Sequence, residues 1–304
     1  MKRPLFVVGA GSVGTFLSAI LSPFSDVTLI ARERSVERFA RGVLLEGAVG
    51  GNYNFRCVSW HDLEEFPSRS VILLTTKVFQ LANVLPEIGP RLSKDCTLVL
   101  CQNGLGVVDE AEKILPGHSW ARAVCWFGAR LLAKPDIPAS VMVGGIGNIE
   151  LAGGNQEAII ELKETLEAAG IPIQLFSSMS DVEWRKALWN ISANGVLALA
   201  GATNGEMLDN PILRSLVEKV LEETAAVARA DGFSLTQADL DRVFISARKV
   251  AANLNSTLQD LNAGRPTEMP WLNGQIVERG RRLGIPTPYN FLIESLVQYR
   301  TKSF

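Results

Sequence analysis

The amino-acid sequence predicts an α/β domain built on a parallel sheet, followed by an all-α domain. In the first third, short apolar runs rich in Val, Ile, Leu and Thr alternate with helical stretches. A glycine-rich turn joins the first such run to the first helix, and beyond Asp181 the strand-like runs cease. Strands buried on both faces read as near-continuous apolar runs, and right-handed crossovers build strand–helix–strand units into a doubly wound sheet.

Taken in order, residues 5–8, 27–30, 71–75 and 97–100 read as buried strands, with a helix over 13–21 between the first two. Residues 139–143 and 148–152 read as strands joined in a hairpin around the glycine-rich 144–147. A helix over 155–169 follows; Gly170 ends it, with Pro172 just beyond. Residues 173–176 make a last strand and 177–180 a joint, which places the division at 177/178: an α/β domain over 1–177 and a helical one over 178–304. In the latter, 211–230, 236–261 and 268–283 are long helices separated by breaks that contain Gly or Pro. Asn210 caps the first, with Pro211 at its first position. Thr267 caps the third, with Glu268 in the first turn, where a carboxylate favours the helix dipole.

Totals exclude several function classes. The 304 residues hold about two domains at ~150 residues each. A hydrophobic share of 47% with 20% charged residues rules out intrinsic disorder. Thirty basic against 32 acidic residues leave a net charge of −2, with no basic excess for nucleic acid or an anionic membrane. Cys57, Cys96, Cys101 and Cys125 lack CxxC spacing and read as reduced thiols of a cytoplasmic protein. His61 and His118 stand isolated, which argues against a His-based metal site or a Ser-His-Asp triad. The apolar stretch 5–10 is short for an export signal, and no apolar run reaches the ~18 residues of a membrane span.

Gly9-Ala10-Gly11-Ser12-Val13-Gly14 matches GxGxxG between a strand and a helix. There the first glycine makes a tight turn, the second lets backbone approach a pyrophosphate, and the third lets helix and strand pack closely. The helix N-terminus offers N–H donors and a positive dipole to the phosphates. This context makes the first domain a Rossmann-type dinucleotide-binding domain. The second strand ends in Ala31-Arg32-Glu33-Arg34. The guanidinium of Arg32 suits the 2′-phosphate of NADPH, whereas the carboxylate of Glu33 would suit a ribose hydroxyl. Two more polar points close strands at the ligand-binding edge of such a sheet, Lys77 after the third and Asn103 after the fourth. Turn chemistry accounts for both equally well, since Asn-Gly is a turn dipeptide.

In the helical domain, Lys186, Asn190 and Asn194 at i, i+4, i+8 form one polar stripe on a helix otherwise covered by Trp184, Leu188, Trp189 and Ile191. These polar groups either bond to another helix or line a wet cavity. Asn253, Ser256 and Asp260 make a second constellation near the end of a long helix.

The order of these pieces resembles the ketopantoate reductase family, the 2-dehydropantoate 2-reductases. The matching residues are GAGSVG at 9–14, Arg32, Thr76-Lys77, Gln102-Asn103-Gly104, Trp184-Arg185-Lys186 with Asn190 and Asn194, and Asn204. Toward the C-terminus they are Ser256-Thr257-Leu258-Gln259-Asp260-Leu261, Gly264-Arg265-Pro266-Thr267-Glu268 and Asn273-Gly274. The resemblance implies NADPH-dependent reduction of ketopantoate to D-pantoate in pantothenate and coenzyme A synthesis. It implies that Lys186 is the general acid, and that Glu268 holds the substrate's distal hydroxyl and helps position Lys186. Asn190, Asn194 and Ser256 would bind substrate, with Ser256 and Asn103 near its carboxylate and reacting end, and Asn204 and Asn253 as further candidates. Gly9, Ala10, Gly11, Ser12, Val13, Gly14, Arg32, Lys77 and Asn103 would hold the cofactor. No metal is implied.

The chain departs from the family pattern at Trp189, at Gly195-Val196-Leu197 in place of Pro-Leu-Thr, at Asn255, and at Met269-Pro270-Trp271 in place of Ile-Asp-Tyr. These departures bear on the pocket wall and leave open a relative that reduces another small 2-keto acid or ketone. A non-catalytic NADPH sensor would have no use for Lys186 and Glu268 together. The expected partner is a small 2-keto acid, with no nucleic acid or membrane, and the expected assembly is a monomer or a homodimer.

Overall fold

The computed structural model describes residues 2–132 and 138–302. The chain forms two compact units, Met1–Gln102 with Val107–Val182, and Asn103–Gly106 with Glu183–Phe304.

The first unit opens β1 (Leu5–Val8), α1 (Ser12–Leu21), β2 (Val27–Ala31), α2 (Glu33–Ala40), β3 (Val43–Gly47), β4 (Gly51–Tyr53) and β5 (Arg56–Ser59). It continues through β6 (Val71–Leu74), α3 (Leu81–Ile88), β7 (Thr97–Leu100), α4 (Val107–Ile114) and β8 (Ser119–Cys125). Last come β9 (Gly128–Leu132), β10 (Ala139–Gly145), β11 (Ile149–Gly153), α5 (Gln156–Ala168) and β12 (Ile173–Phe176). Among the described residues, eight strands form one sheet in the order β12-β11-β8-β7-β6-β1-β2-β5. Neighbours pair in parallel except β8 with β11. β1, β2, β6 and β7 are buried along their whole length, as their unbroken apolar runs require. Phe16, Leu17 and Leu21 of α1 and Ile159, Leu162 and Leu166 of α5 belong to the same core. The chain leaves β1 toward β2 on one side and β6 on the other. The carboxyl ends of β1 and β6 therefore flank a topological switch point, where open α/β sheets bind ligands.

Residues 139–143 and 148–152 do not form the expected hairpin. β10 pairs with β3 and β9 in a second, four-stranded sheet ordered β4-β3-β10-β9, while β11 pairs with β8 and β12 in the main one. Both edges of each strand are occupied by other partners, so the glycine segment carries the chain from one sheet to the other. The second sheet escapes sequence reading because β3 meets β10 across nearly a hundred residues.

The second unit consists of helices. α6 (Met179–Trp189) starts inside the expected joint at 177–180, with its first turn in the first unit and the rest in the second. A five-residue π turn, Asn190–Asn194, continues it into α7 (Gly195–Ala200). Then follow α8 (Asn204–Asp209), α9 (Pro211–Ala230), α10 (Gln237–Lys249), α11 (Ser256–Asn262), α12 (Asn273–Leu283) and α13 (Pro288–Lys302). Trp184, Leu188, Ile191 and Leu197 lie in its core with Val217 and Val220 of α9, Ile276 of α12 and Val297 of α13. None of the helices in the described residues is long and apolar enough to cross a membrane.

Two helical expectations need correction. The helix expected over 236–261 breaks into α10 and α11, so Asn253, Ser256 and Asp260 do not share one helix. The N-terminus of α8 competes for the carbonyls of the break: Asn204 Nδ2 donates to Val250 O at 3.2 Å, Asn204 N to Asn253 O at 3.2 Å, and Gly205 N to Ala251 O at 2.8 Å. Asn255 then caps α11, its Oδ1 accepting from Leu258 N at 2.9 Å. The helix expected from 268 instead begins at Asn273. Met269–Trp271 is a short 3₁₀ turn preceded by Glu268, without a side-chain cap, and Leu272 at φ −109, ψ −102 interrupts the helical path. Thr267 is therefore no N-cap.

The cap at Asn255 is testable. Asn255→Ala should cost about 1 kcal/mol in urea unfolding. Asn255→Ser should hold stability, because it keeps the acceptor while removing the Nδ2 that is buried without a partner. Equal destabilisation by both substitutions would show that the cap is not what holds the end of the break.

Candidate active site

In the first unit, the turn between β1 and α1 is shaped by contacts that only glycine permits. Gly9 adopts φ +114, and a Cβ there would lie 2.8 Å from Thr76 Cγ2. A Cβ on Gly14 would lie 2.0 Å from Gly9 O and 2.4 Å from Thr75 Oγ1. Thr75 Oγ1 ties the two strand ends together, donating to Val8 O at 3.0 Å and Gly9 O at 2.9 Å. A Cβ on Gly11 would meet nothing within 4 Å, so this side of the turn faces open space. The first helical bond of α1 runs from Thr15 N to Gly11 O, which leaves the earlier N–H groups outside the helical ladder. Beside Gly9, Thr76 Oγ1 is buried without a hydrogen-bond partner. Tight turn, open backbone face and free helix N-terminus fit a dinucleotide pyrophosphate.

The other expected cofactor residues surround this turn in different ways. Ala10 and Val13 are half-buried on it, and Ser12 Oγ accepts from Leu131 N at 2.9 Å, which ties the start of α1 to β9. Arg32 is exposed and extended where β2 passes into α2, with Glu33 exposed beside it. Lys77 is half-buried at the head of a 3₁₀ turn, Val78–Gln80, its N–H donating to Gln80 Oε1 at 3.0 Å. Asn103 belongs to the compact second unit although it follows a strand of the first.

The second unit gathers most of the remaining candidates. Lys186 is half-buried on α6, and Asn190 and Asn194 are buried at the two ends of the π turn. The stripe thus runs along one helix, but with five residues in its last turn instead of the regular spacing. π turns of this kind recur at functional sites because they redirect side chains and release a backbone carbonyl from the α ladder. Asn273 Nδ2 meets Ile191 O within the turn at 3.1 Å and donates also to Asn290 Oδ1 at 2.9 Å. Asn290 Nδ2 donates in turn to Glu223 Oε2 at 2.9 Å, and the Glu223 carboxylate accepts the N–H groups of Tyr289 and Asn290 at the start of α13. Asn194 Oδ1 and Ser192 Oγ are buried without partners, polar acceptors in a helix otherwise packed with apolar groups.

The loop Asn103–Gly106 is fastened to two further elements of this unit. Gly106 N donates to Glu183 Oε2 at 3.0 Å, one turn before Lys186. Leu105 N donates to Trp271 O at 2.9 Å, three residues after Glu268, and a Cβ on Gly104 would come within 2.8 Å of Trp271 Cβ. Asn103 is thereby placed in register with both the lysine helix and the turn that follows Glu268, which is buried. α11 packs on the π turn and carries Ser256, exposed, at its first position. Asn204 and Asn253 are neighbours through their backbones, with the Asn253 side chain exposed. Asp260 is a structural residue, bound to Arg265 Nε at 2.9 Å.

Two departures from the family pattern prove to be coupled packing. A Cβ on Gly195 would strike Ile293 Cγ2 at 2.2 Å and approach Met269 Cε to 3.1 Å, and Met269 is fully buried. Both belong to the core, so they do not line a pocket wall as the sequence suggested. Glu183, Asn273, Asn290 and Glu223 were not singled out as site residues from sequence. Of these, Asn273 carries a signal, as part of the Asn273-Gly274 match.

Comparisons with known proteins agree with this organisation. Residues 5–156 match the family model described as ketopantoate reductase PanE/ApbA, and residues 178–300 match the one described as its C terminal part. The chain is 28% identical over 303 residues to the 2-dehydropantoate 2-reductase of Pyrococcus horikoshii, covering 97% of this chain and 96% of that protein. It is 27% identical over 304 residues to that of Pyrobaculum aerophilum, covering 97% of each. A crystal structure of a PanE/ApbA family ketopantoate reductase from Ralstonia eutropha JMP134 superposes with a TM-score of 0.88 at 26% identity over 99% of both chains. A D-mandelate dehydrogenase with NADH and anilino(oxo)acetate superposes with a TM-score of 0.89 at 23% identity over 99% of both, a likeness of fold.

Asn273→Asp replaces two donated hydrogen bonds by a carboxylate facing the acceptors Ile191 O and Asn290 Oδ1. At ~1–3 kcal/mol for each of the two buried groups left unpaired, unfolding stability should drop by about 2–6 kcal/mol. A loss below ~0.5 kcal/mol in chemical denaturation would mean that the π turn is held by something else.

Proposed function

Because the chain belongs to the ketopantoate reductase family of oxidoreductases acting on CH–OH/C=O, we propose that it reduces 2-dehydropantoate to D-pantoate with NADPH, in the cytoplasm, within pantothenate and coenzyme A synthesis. The observation that carries this proposal is the half-buried Lys186 one turn ahead of a π turn that bears the buried Asn190 and Asn194. NADPH, when bound, supplies the hydride that reduces the carbonyl carbon.

The chain's own residues do the remaining work. Backbone N–H groups around 9–14 hold the pyrophosphate at the start of α1, Arg32 pairs with the 2′-phosphate, and Lys77 and Asn103 complete the cofactor contacts. Asn190, Asn194, Ser256 and Asn103 orient the 2-keto acid, with Asn204 and Asn253 in support. The Lys186 ammonium hydrogen-bonds the keto oxygen and stabilises the negative charge that develops there. It then gives that oxygen a proton, so the carbonyl becomes an alcohol. A lysine suits this step because an ordinary ammonium, with a pKa near ~10.4, carries its proton at neutral pH. Glu268 accepts from the distal hydroxyl of the substrate and steadies Lys186.

A second reading keeps the reaction and changes the substrate: another small 2-keto acid. Trp271 in place of the family's tyrosine and the likeness in fold to D-mandelate dehydrogenase favour keeping it in view. NADPH oxidation measured across 2-keto acids with and without a 4-hydroxyl separates the two. A kcat/KM of ~10⁴ M⁻¹s⁻¹ or more is expected with ketopantoate, and a value below ~10³ M⁻¹s⁻¹ would favour the alternative. Lys186→Ala should lower kcat by at least ~100-fold with NADPH affinity within about twofold of wild type. Unchanged turnover would remove Lys186 from the chemistry. Arg32→Ala should weaken NADPH binding by about 10-fold or more and leave NADH binding nearly unaltered. If wild-type kcat/KM is the same with both nucleotides, the role given to Arg32 fails.

A further inference from the structure

At the carboxyl edge of the main sheet, successive strand ends are fastened by side chains that donate to backbone carbonyls of the strand beside them. Thr75, just past β6, reaches Val8 O and Gly9 O at the end of β1. Gln102, just past β7, is buried, and its Nε2 donates to Leu74 O at the end of β6 at 3.0 Å. Arg122, within β8, completes the series. Its Nη1 donates to Leu100 O at 2.7 Å and to Ala123 O at 3.3 Å, and its Nη2 donates to Gln102 O. The first two clamps use neutral groups. The third uses a guanidinium in a residue that is 1% exposed.

Burying a cation is a costly way to hold a strand end. Glu150, also buried, supplies the opposite charge on the same face of the sheet. It stands opposite Val124 on β8, while Ala152 stands opposite Arg122, so the carboxylate and the guanidinium are diagonal neighbours. Such a diagonal spans roughly 7–8 Å, within reach of long side chains. A well-packed apolar pair of similar volume would hold the fold as well or better. Stability alone therefore gives no reason for a cation here. What the guanidinium adds is direction, through a planar fork whose N–H groups meet two carbonyls of one strand end.

One of those carbonyls, Gln102 O, lies in the same rigid peptide plane as Asn103 N. We infer that Arg122 is a positioning residue: by fixing that plane, it sets the direction in which Asn103 leaves the sheet. The inference rests on the role proposed above for Asn103, which orients the 2-keto acid and completes the cofactor contacts. Buried and bonded to backbone, Arg122 acts through Asn103 and takes no part in the chemistry itself. Lysine cannot stand in for it, because an ammonium is a point donor without the fork.

A double-mutant cycle on the full chain tests this, with ketopantoate and NADPH as probes. Arg122→Lys keeps the charge and should lower kcat/KM by about 10-fold or more, since small misplacements of an orienting group are that damaging. Introduced into Asn103→Ala, the same substitution should cost less than about twofold further, because the side chain it served is gone. Arg122→Met combined with Glu150→Met removes both buried charges and should repeat this pattern, with the thermal midpoint kept within ~4 °C. An equal fall with and without the Asn103 side chain would overturn the inference and leave Arg122 a purely structural residue. Wild-type kcat/KM in Arg122→Lys would overturn it too. If Asn103→Ala alone turns over like wild type, the role of Asn103 fails and the inference falls with it. Hydrogen exchange gives a readout independent of substrate: exchange over residues 102–106 should quicken at least ~10-fold in Arg122→Lys, with β1 and β6 unaltered. A wild type inactive on ketopantoate sinks the proposed function alone, and unchanged exchange would then sink the inference.

Discussion

One buried side-chain amide, that of Asn273, supports the arrangement on which the helical unit's polar residues depend. A π turn widens a helix and takes a carbonyl off the regular ladder, and inside a packed unit such a carbonyl must find another donor. Asn273 supplies that donor to Ile191 O and passes the order on through Asn290 to Glu223, which in turn holds the start of α13. Four elements thus share one chain of hydrogen bonds. The phase of Asn194 relative to Lys186 and Asn190 follows from it, because the π turn runs from Asn190 to Asn194. A regular α turn would have left the three side chains at uniform spacing, with no use for the amide.

The nucleotide turn obeys a different constraint, close approach. Gly9 and Gly14 are pressed against the end of β6 and against each other's backbone, whereas Gly11 faces space. Steric crowding on one side and openness on the other are what a turn needs to hold rigid while offering its N–H groups outward. This local geometry explains why a net charge of −2 says little about an anionic ligand. A helix N-terminus and an exposed arginine act over a few ångströms, and distant surface charges are screened.

The loop Asn103–Gly106 shows how chain order and spatial order part company. It leaves a strand of the sheet but belongs to the helical unit, bound by Glu183 on one side and Trp271 on the other. The 3₁₀ turn that bears Trp271 also places Met269 in the core against Gly195 and Ile293. Family departures at 195 and 269 thus meet in one packed region, where a side chain at 195 would strike Ile293 first and crowd Met269 second.

Local chemistry made much of this legible without coordinates. The four buried strands 5–8, 27–30, 71–75 and 97–100 announce themselves because burial on both faces demands unbroken apolar runs. The turn at 9–14 does so because only glycine tolerates its contacts, and the cap at Asn210 because its acceptor serves N–H groups two and three residues away. The second sheet, the break ahead of Asn255, the late start of α12 and the π turn were settled only in three dimensions. Each depends on a partner far along the chain: β3 on β10, the carbonyls of 250–253 on Asn204 and Gly205, the loop at 105 on Trp271, Ile191 on Asn273. Hydrogen bonds within a few residues leave a pattern in sequence. Those that satisfy a backbone group from dozens of residues away are paired only by the fold.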